Sequence, residues 1–218
     1  GSGPNGAIIH YKSTNLTNRK INKNDILLVD SGGQYKWGTT DVTRTTCSGK
    51  VSNKFKNNFT RVLKGHIAVV KSNLQITNNG HLIDKLARKY LKDVGLNYSH
   101  GTGHGVGYFL NVHEGPQGIS KYNTIQLREG MILSNEPGYY LNNKYGIRIE
   151  NLIYVTNVVK KLQFNNLTYV PIDLDLVNFK MLTKKEKQYL FEYHLDVYAK
   201  ISKHLNINEK KWLIKLIK

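Results

Sequence analysis

Short apolar runs that end in, or are punctuated by, a metal-ligating side chain set the strongest limit on how this chain can fold. Ile26-Leu27-Leu28-Val29 runs into Asp30, Met131-Ile132-Leu133 leads to Glu136, and Ile147 and Ile149 flank Arg148 before Glu150, while Asp41 and His104 sit in glycine-rich stretches between. Runs of this length bounded by Gly, Asn or Pro are strands, and a carboxylate carried into them is costly to bury unless it is paired or holds a cation. Asp30, Asp41, His104, Glu136 and Glu150 combine four negative charges with one imidazole. That is too much charge for one divalent ion and close to neutral with two. Two such ions about 3.5–4 Å apart form a common clamp for hydrolysing peptide or phosphate bonds. The pattern therefore implies an α+β chain built around a two-cation hydrolytic site.

The remaining periodicities fill in that architecture. Ala7 to Tyr11, Asp25 to Ser31, Met131 to Glu136 and Gly146 to Thr156 are predicted strands, and Phe55 to Ser72 and Leu82 to Val94 are predicted helices. In the second helix Leu82, Leu86, Tyr90 and Val94 fall on one expected apolar face, with Gly95 as its C-terminal stop. After Pro171 the character changes. Thr183 with Glu186 forms a capping box ahead of Tyr189, Leu190 and Tyr193, and Asn208 opens a last helix carrying Trp212, Leu213 and Leu216. Residues 1–170 thus read as one domain and 171–218 as a C-terminal helical extension whose apolar face packs on the domain or on a partner.

With 218 residues the chain can bury a core of its own. Its net charge of +17 comes from lysines scattered along the chain, which describes a solvated surface better than a nucleic-acid stripe. The densest basic stretch is Lys184 to Lys218. Cys47, the single cysteine, has no partner for an internal disulfide, and no apolar run is long enough to span a bilayer. No nucleic acid and no membrane are expected as partners.

Each site residue is placed by its local pattern. Asp30 and Asp41 lie on two strands joined through a glycine-bearing turn. Glu136 and Glu150 lie on the two arms of a hairpin whose tip is Asn142-Asn143. Arg148, two residues before Glu150, shares its face and is placed to hydrogen-bond a ligating carboxylate. His104 stands in His100-Gly101-Thr102-Gly103-His104-Gly105-Val106-Gly107. So many glycines argue against a helical zinc motif and for a strand that a substrate backbone approaches closely. His10, His100 and His113 flank the carboxylate segments as candidate pocket donors.

Taken together, Leu28-Val29-Asp30-Ser31-Gly32, Gly38-Thr39-Thr40-Asp41-Val42-Thr43-Arg44-Thr45, the segments 100–107 and 111–116, Glu136-Pro137-Gly138 and Gly146-Ile147-Arg148-Ile149-Glu150-Asn151 resemble the catalytic domain of the aminopeptidase P family of pita-bread metallopeptidases. The eukaryotic cytosolic type is the nearest pattern. The resemblance implies a curved antiparallel sheet covered by helices, hydrolysis of the Xaa-Pro bond of peptides with proline in second position, and a cytoplasmic setting. By motif it implies Asp30, Asp41, His104, Glu136 and Glu150 as ligands of two divalent ions, with Mn²⁺ as the usual occupant and Zn²⁺ or Co²⁺ as alternatives. Glu136 becomes the general base, with His10, His100 and His113 lining the catalytic pocket. A homodimer through the C-terminal helices is also implied.

The family carries two further N-terminal domains and opening helices that these residues do not include. Either the chain is a fragment or another polypeptide completes it. The missing N-terminal portion, as a separate chain, is the expected partner over an otherwise uncovered apolar sheet face. Two other readings stand beside this one: a prolidase-type dipeptidase, which would share every metal ligand, and a non-enzymatic pita-bread module that binds acidic partners.

Overall fold

The computed structural model describes residues 1–217. After a 3-10 turn, Gly3–Ala7, the chain forms the antiparallel pair β1 (Leu27–Tyr35) and β2 (Gly38–Thr46). Helices α1 (Asn53–Val70) and α2 (Gly80–Lys92) follow. A short pair, β3 (Gly103–His104) and β4 (Gly118–Ile119), precedes β5 (Ile132–Asn135), β6 (Gly138–Leu141), β7 (Tyr145–Arg148), β8 (Asn151–Val158) and β9 (Lys161–Asn166). All pairings are antiparallel, in the orders β1-β2, β3-β4, β5-β8-β9 and β6-β7, and a bridge between Gly105 and Leu133 joins the segment after β3 to β5. Helices α3 (Lys184–Ile201) and α4 (Ile207–Ile217) close the chain. The expected α+β arrangement of antiparallel strands backed by helices is what forms. Among the described residues no helix is long and apolar enough to cross a membrane.

Helix α1 forms the spine of the core. Ser52 caps it by accepting from the Phe55 amide at 3.2 Å, and Phe59, Val62, Leu63 and Ile67 are buried along it. Each fully buried side chain of this size contributes about 1.5–3 kcal/mol. Gly65 lets α2 approach closely, because a Cβ there would overlap the Ala87 carbonyl.

Several sequence expectations need correction. Ala7 to Tyr11 is not a strand but the end of the 3-10 turn followed by a bend, because the strand partner is taken instead by Ser2, bridged to Leu27. Gly146 to Thr156 is not one strand, since the ladder breaks at Ile149 and Glu150 where the chain passes from β7 to β8. The hairpin around Asn142 and Asn143 is therefore only β6-β7, and β5 pairs with β8 instead of β7. The glycine-rich segment 100–107 is mostly loop, with Gly103 and His104 in β3 and Gly105 bridged to Leu133.

On α2 the buried face is Ile83, Asp84, Ala87, Arg88 and Leu91, one step round from the predicted apolar stripe, and Val94 is exposed. A buried ion pair on that face is invisible to apolar periodicity. Gly95 does end the helix, at φ +72°. Its amide and that of Leu96 donate to the carbonyls of Lys92 and Leu91, both at 3.0 Å.

The Thr183–Glu186 capping box is present, but α4 is capped by Asn206, whose side chain accepts from the amides of Asn208 and Glu209. Tyr189, Leu190, Tyr193 and Leu213 are buried in the same core as α1, so these four pack on their own domain and leave no partner face of their own. Trp212 remains exposed.

Candidate metal centre and active site

A cleft of about 250 Å³ is lined by His10, Asp30, Asp41, His100, His104, His113, Glu136, Arg148 and Glu150, which gathers every site residue named from sequence. Larger grooves of about 690 and 660 Å³ lie beside Tyr189, but no comparable cluster of carboxylates and imidazoles converges in them.

Strand pairing explains the assembly. Asp30 faces Thr43 and Asp41 faces Gly32 across β1-β2, so the two aspartates stand diagonally on one face together with Thr43. Glu136 follows β5, and its amide donates to the Thr102 carbonyl at 2.8 Å, which ties it to the loop carrying His104. The His104 amide donates to Ser134 Oγ at 2.9 Å, and Ser134 Oγ donates to Glu136 Oε1 at 2.9 Å. Gly103 is required here, since a Cβ would overlap the Ser134 carbonyl. Glu150 sits in the break between β7 and β8. Its amide donates to the Thr43 carbonyl at 3.1 Å, and its Oε2 accepts from Thr43 Oγ1 at 2.7 Å.

Asp41, His104 and Glu150 each place one donor atom within 4.8 Å of the others. His104 Nε2 also lies 3.4 Å from Asp41 Oδ2 and 3.5 Å from Glu136 Oε1. Its Nδ1 lies 3.0 Å from the Gly105 carbonyl, which can only accept, so Nδ1 carries the hydrogen and Nε2 faces the carboxylates. Arg148 Nη2 donates to Asp30 Oδ2 at 2.6 Å, so Arg148 holds one of the candidate carboxylates.

The electrostatics point to missing positive charge. Burial raises the pKa of Glu136 despite the opposing pull of His104, and burial together with the charges of Glu136 and Asp41 raises that of Glu150. Burial works against protonation of His104, yet the hydrogen bond to Asp41 and the Gly105 carbonyl outweigh it and lift the imidazole to about 9. The cleft thus gathers protons to offset its carboxylates, a task divalent cations would take over. Oxygen-rich donors with one imidazole suit Mg²⁺, Mn²⁺ or Zn²⁺ better than thiophilic ions.

The histidines divide. His113 packs edge-on against His104, ring centroids 4.3 Å apart, and is exposed to the cleft. His10 is exposed at its rim. His100 departs from the expected donor role. Its Nδ1–H donates to the Gly101 carbonyl at 2.6 Å, so Nε2 accepts from the Tyr140 hydroxyl at 2.9 Å. Burial, with Arg148 and Arg88 nearby, lowers it to about 4 and keeps it neutral. Both ring nitrogens are thus taken while the residue still lines the cleft.

Tyr140 escaped the sequence reading. Its hydroxyl receives Arg148 Nη1 at 2.9 Å while donating to His100. Strand parity could have found it, since Gly138 opposes Arg148 and Tyr140 lies two residues further along the same face of β6.

Residues 1–157 match metallopeptidase family M24, and residues 160–218 match the C-terminal region of peptidase M24. The chain belongs to metallopeptidase family M24. A probable Xaa-Pro aminopeptidase P of Laccaria bicolor is 47% identical over 213 residues, which cover 93% of this chain and 33% of that protein. The solved X-prolyl aminopeptidase of Caenorhabditis elegans, described as a cytosolic enzyme with a di-nuclear active site, superposes with a TM-score of 0.93. It is 39% identical and covers 100% of this M24 chain, which spans 37% of it. The prolidase of Pyrococcus furiosus superposes less well, with a TM-score of 0.67 at 29% identity over 77% of this chain and 47% of its own. The chain spans about a third of the length of the curated relatives it matches. These likenesses agree with the expected pita-bread fold.

Proposed function

We propose that the protein containing this chain is a metal-dependent aminopeptidase that releases the first residue from peptides with proline in second position, with residues 1–170 as the catalytic unit and 171–218 as its extension. The observation that carries this reading is the convergence of Asp41, His104 and Glu150 within 4.8 Å, with Glu136 and Asp30 lining the same cleft. Bound there, a pair of divalent cations would supply Lewis acidity and acidify an attacking water; Mn²⁺ is the proposed occupant, with Zn²⁺ and Co²⁺ as alternatives.

The chain's own groups divide the remaining work. Glu136 takes the proton of the attacking water and returns it to the proline nitrogen. Its carboxylate accepts from Ser134 Oγ at 2.9 Å, which fixes the orientation of the base. His113 and His10, at the open side of the cleft, donate to the substrate carbonyls as charge develops. His100, held neutral between Gly101 and Tyr140, presents its ring face to the proline. Arg148 holds Asp30 in place.

The test is hydrolysis of an Arg-Pro-Pro peptide and of an Xaa-Pro dipeptide by the full-length protein, chelated and then supplied with Mn²⁺, Zn²⁺ or Co²⁺. Metal-dependent cleavage of the tripeptide alone is expected. Cleavage of the dipeptide alone would favour the prolidase-type reading, and salt-sensitive binding without hydrolysis the binding module.

A cytoplasmic location is proposed by likeness to the nematode enzyme. As partners we propose the remainder of the same protein, a reading supported by exposed Val29 and Trp37 on the β1-β2 pair, and a second copy. Exposed Phe191, Leu195 and Trp212 support the second copy. Light scattering that returns a monomer at micromolar concentration would remove the dimer.

A further inference from the structure

Arg44 lies three positions after the ligand Asp41 on β2, on the opposite face of the strand. Its side chain points away from the cleft, yet it reaches a metal-centre residue from behind. Nη1 donates to the Glu150 carbonyl at 2.6 Å and to the Thr43 carbonyl at 2.8 Å. Nη2 donates to Asn151 Oδ1 at 2.6 Å, the Val170 carbonyl at 2.8 Å and the Tyr193 hydroxyl at 2.9 Å, and Nε donates to the Pro171 carbonyl at 3.0 Å. Among the described residues it makes no ion pair with a carboxylate. A guanidinium spent entirely on carbonyl, amide and hydroxyl acceptors of four separate segments serves geometry more than charge pairing.

The segments it joins give that geometry a purpose. Glu150 lies outside regular structure, in the break between β7 and β8, so no ladder fixes its carbonyl. Thr43 holds its amide and its carboxylate from β2, and Arg44 holds its carbonyl. The other end of the fork is anchored in the C-terminal region: Tyr193 of α3 also donates to the Val170 carbonyl at 2.8 Å. We propose that Arg44 is a positioning residue for the metal centre. It fixes the backbone of Glu150 and makes the docking of residues 168–171 and α3 a condition for tight cation binding. The C-terminal region is then part of the support of the site, whatever else it contacts.

This inference rests on reading the cleft as a two-cation centre, and the experiment separates the two. The full-length protein is stripped with chelator and titrated with Mn²⁺ by calorimetry, with stoichiometry checked by elemental analysis and the melting temperature of the metal-free form recorded. Glu150→Ala tests the centre itself and should lose a cation; retention of both would overturn the centre and the role of Arg44 with it.

Arg44→Lys should bind Mn²⁺ about 10-fold or more weakly, in the range seen when groups orienting ligands are altered. Its kcat at saturating metal should stay within a few-fold of the parent. Unchanged Mn²⁺ affinity in folded Arg44→Lys overturns the proposal. Should that variant not accumulate folded, Tyr193→Phe and Tyr189→Phe decide. Both hydroxyls are buried, but that of Tyr189 meets Asn166 and not Arg44. Weaker Mn²⁺ binding in Tyr193→Phe alone supports the proposal, and equal behaviour of the two refutes it.

Discussion

Replacing Arg88 with Met tests how the loop bearing the histidines is held. On α2 the guanidinium pairs with Asp84 at 2.7 Å, with side chains only 10% and 3% exposed. It also donates to the Tyr98 carbonyl at 2.6 Å, the His100 carbonyl at 2.6 Å and Asn97 Oδ1 at 2.9 Å. Asp84 accepts in turn from Thr102 Oγ1 at 2.6 Å. Met keeps most of the volume but leaves Asp84 buried without its cation and three acceptors without donors. Removing one partner of a buried ion pair costs about 3–5 kcal/mol, and the orphaned acceptors weigh in the same direction.

The catalytic region of Arg88→Met should therefore lose about 3–5 kcal/mol in urea unfolding followed by amide hydrogen exchange, with exchange fastest in residues 97–104. Its kcat/KM should fall even where it remains folded, because His100 and His104 ride on that loop. Asp84→Asn combined with Arg88→Met should recover part of the loss, since no buried charge is then left unpaired. Lys89→Met, one position along, breaks the exposed Lys89–Asp93 pair and should change nothing measurable. A loss below about 1 kcal/mol in Arg88→Met, or a double variant no better than the single, would refute the argument.

Three further outcomes follow from the cleft. Glu136→Gln cannot take a proton and should lower kcat by about 100-fold or more; more than a tenth of parental activity would remove Glu136 as the base. His113→Phe should lower kcat/KM while metal content stays at two, as measured by elemental analysis, and unchanged kinetics would return His113 to a packing role. The metal-free protein should lose stability as pH rises from 6.5. Glu136, Glu150 and His104 all have folded pKa values above their unfolded ones, so the folded state holds extra protons that it releases on the way to about 9. Below 6.5 the buried neutral His66, His100 and His194, lowered to about 3, 4 and 4, act the other way and stability falls with acid. A melting temperature that climbs between pH 6.5 and 8.5 without metal would contradict the assignment.

The five candidate ligands were legible because each ends or punctuates a short apolar run and falls in a motif; on β2 the spacing of two puts Asp41 and Thr43 on one face, and the β1-β2 register then brings Asp30 to it. The parts that were not legible depended on partners distant in sequence. Ala7 to Tyr11 has strand composition, but composition does not say which neighbour claims the edge of β1. The break at Ile149 and Glu150 is set by Thr43 and Arg44, more than a hundred positions earlier. On α2 the buried face carries Asp84 and Arg88, so a search for apolar stripes lands one step away. Tyr140 and Arg44 could be found only by following strand parity through a register that the sequence did not state.

The bond from Thr43 to the Glu150 carboxylate spans 107 positions, and that from Arg148 to Asp30 spans 118. During synthesis the two aspartates leave the ribosome long before either glutamate exists, and contacts this distant in sequence close slowly. On the two-cation reading proposed above, capture of the cations would be a late step in the life of the nascent chain, and chains stalled before Glu136 should retain no cation pair when isolated from ribosomes.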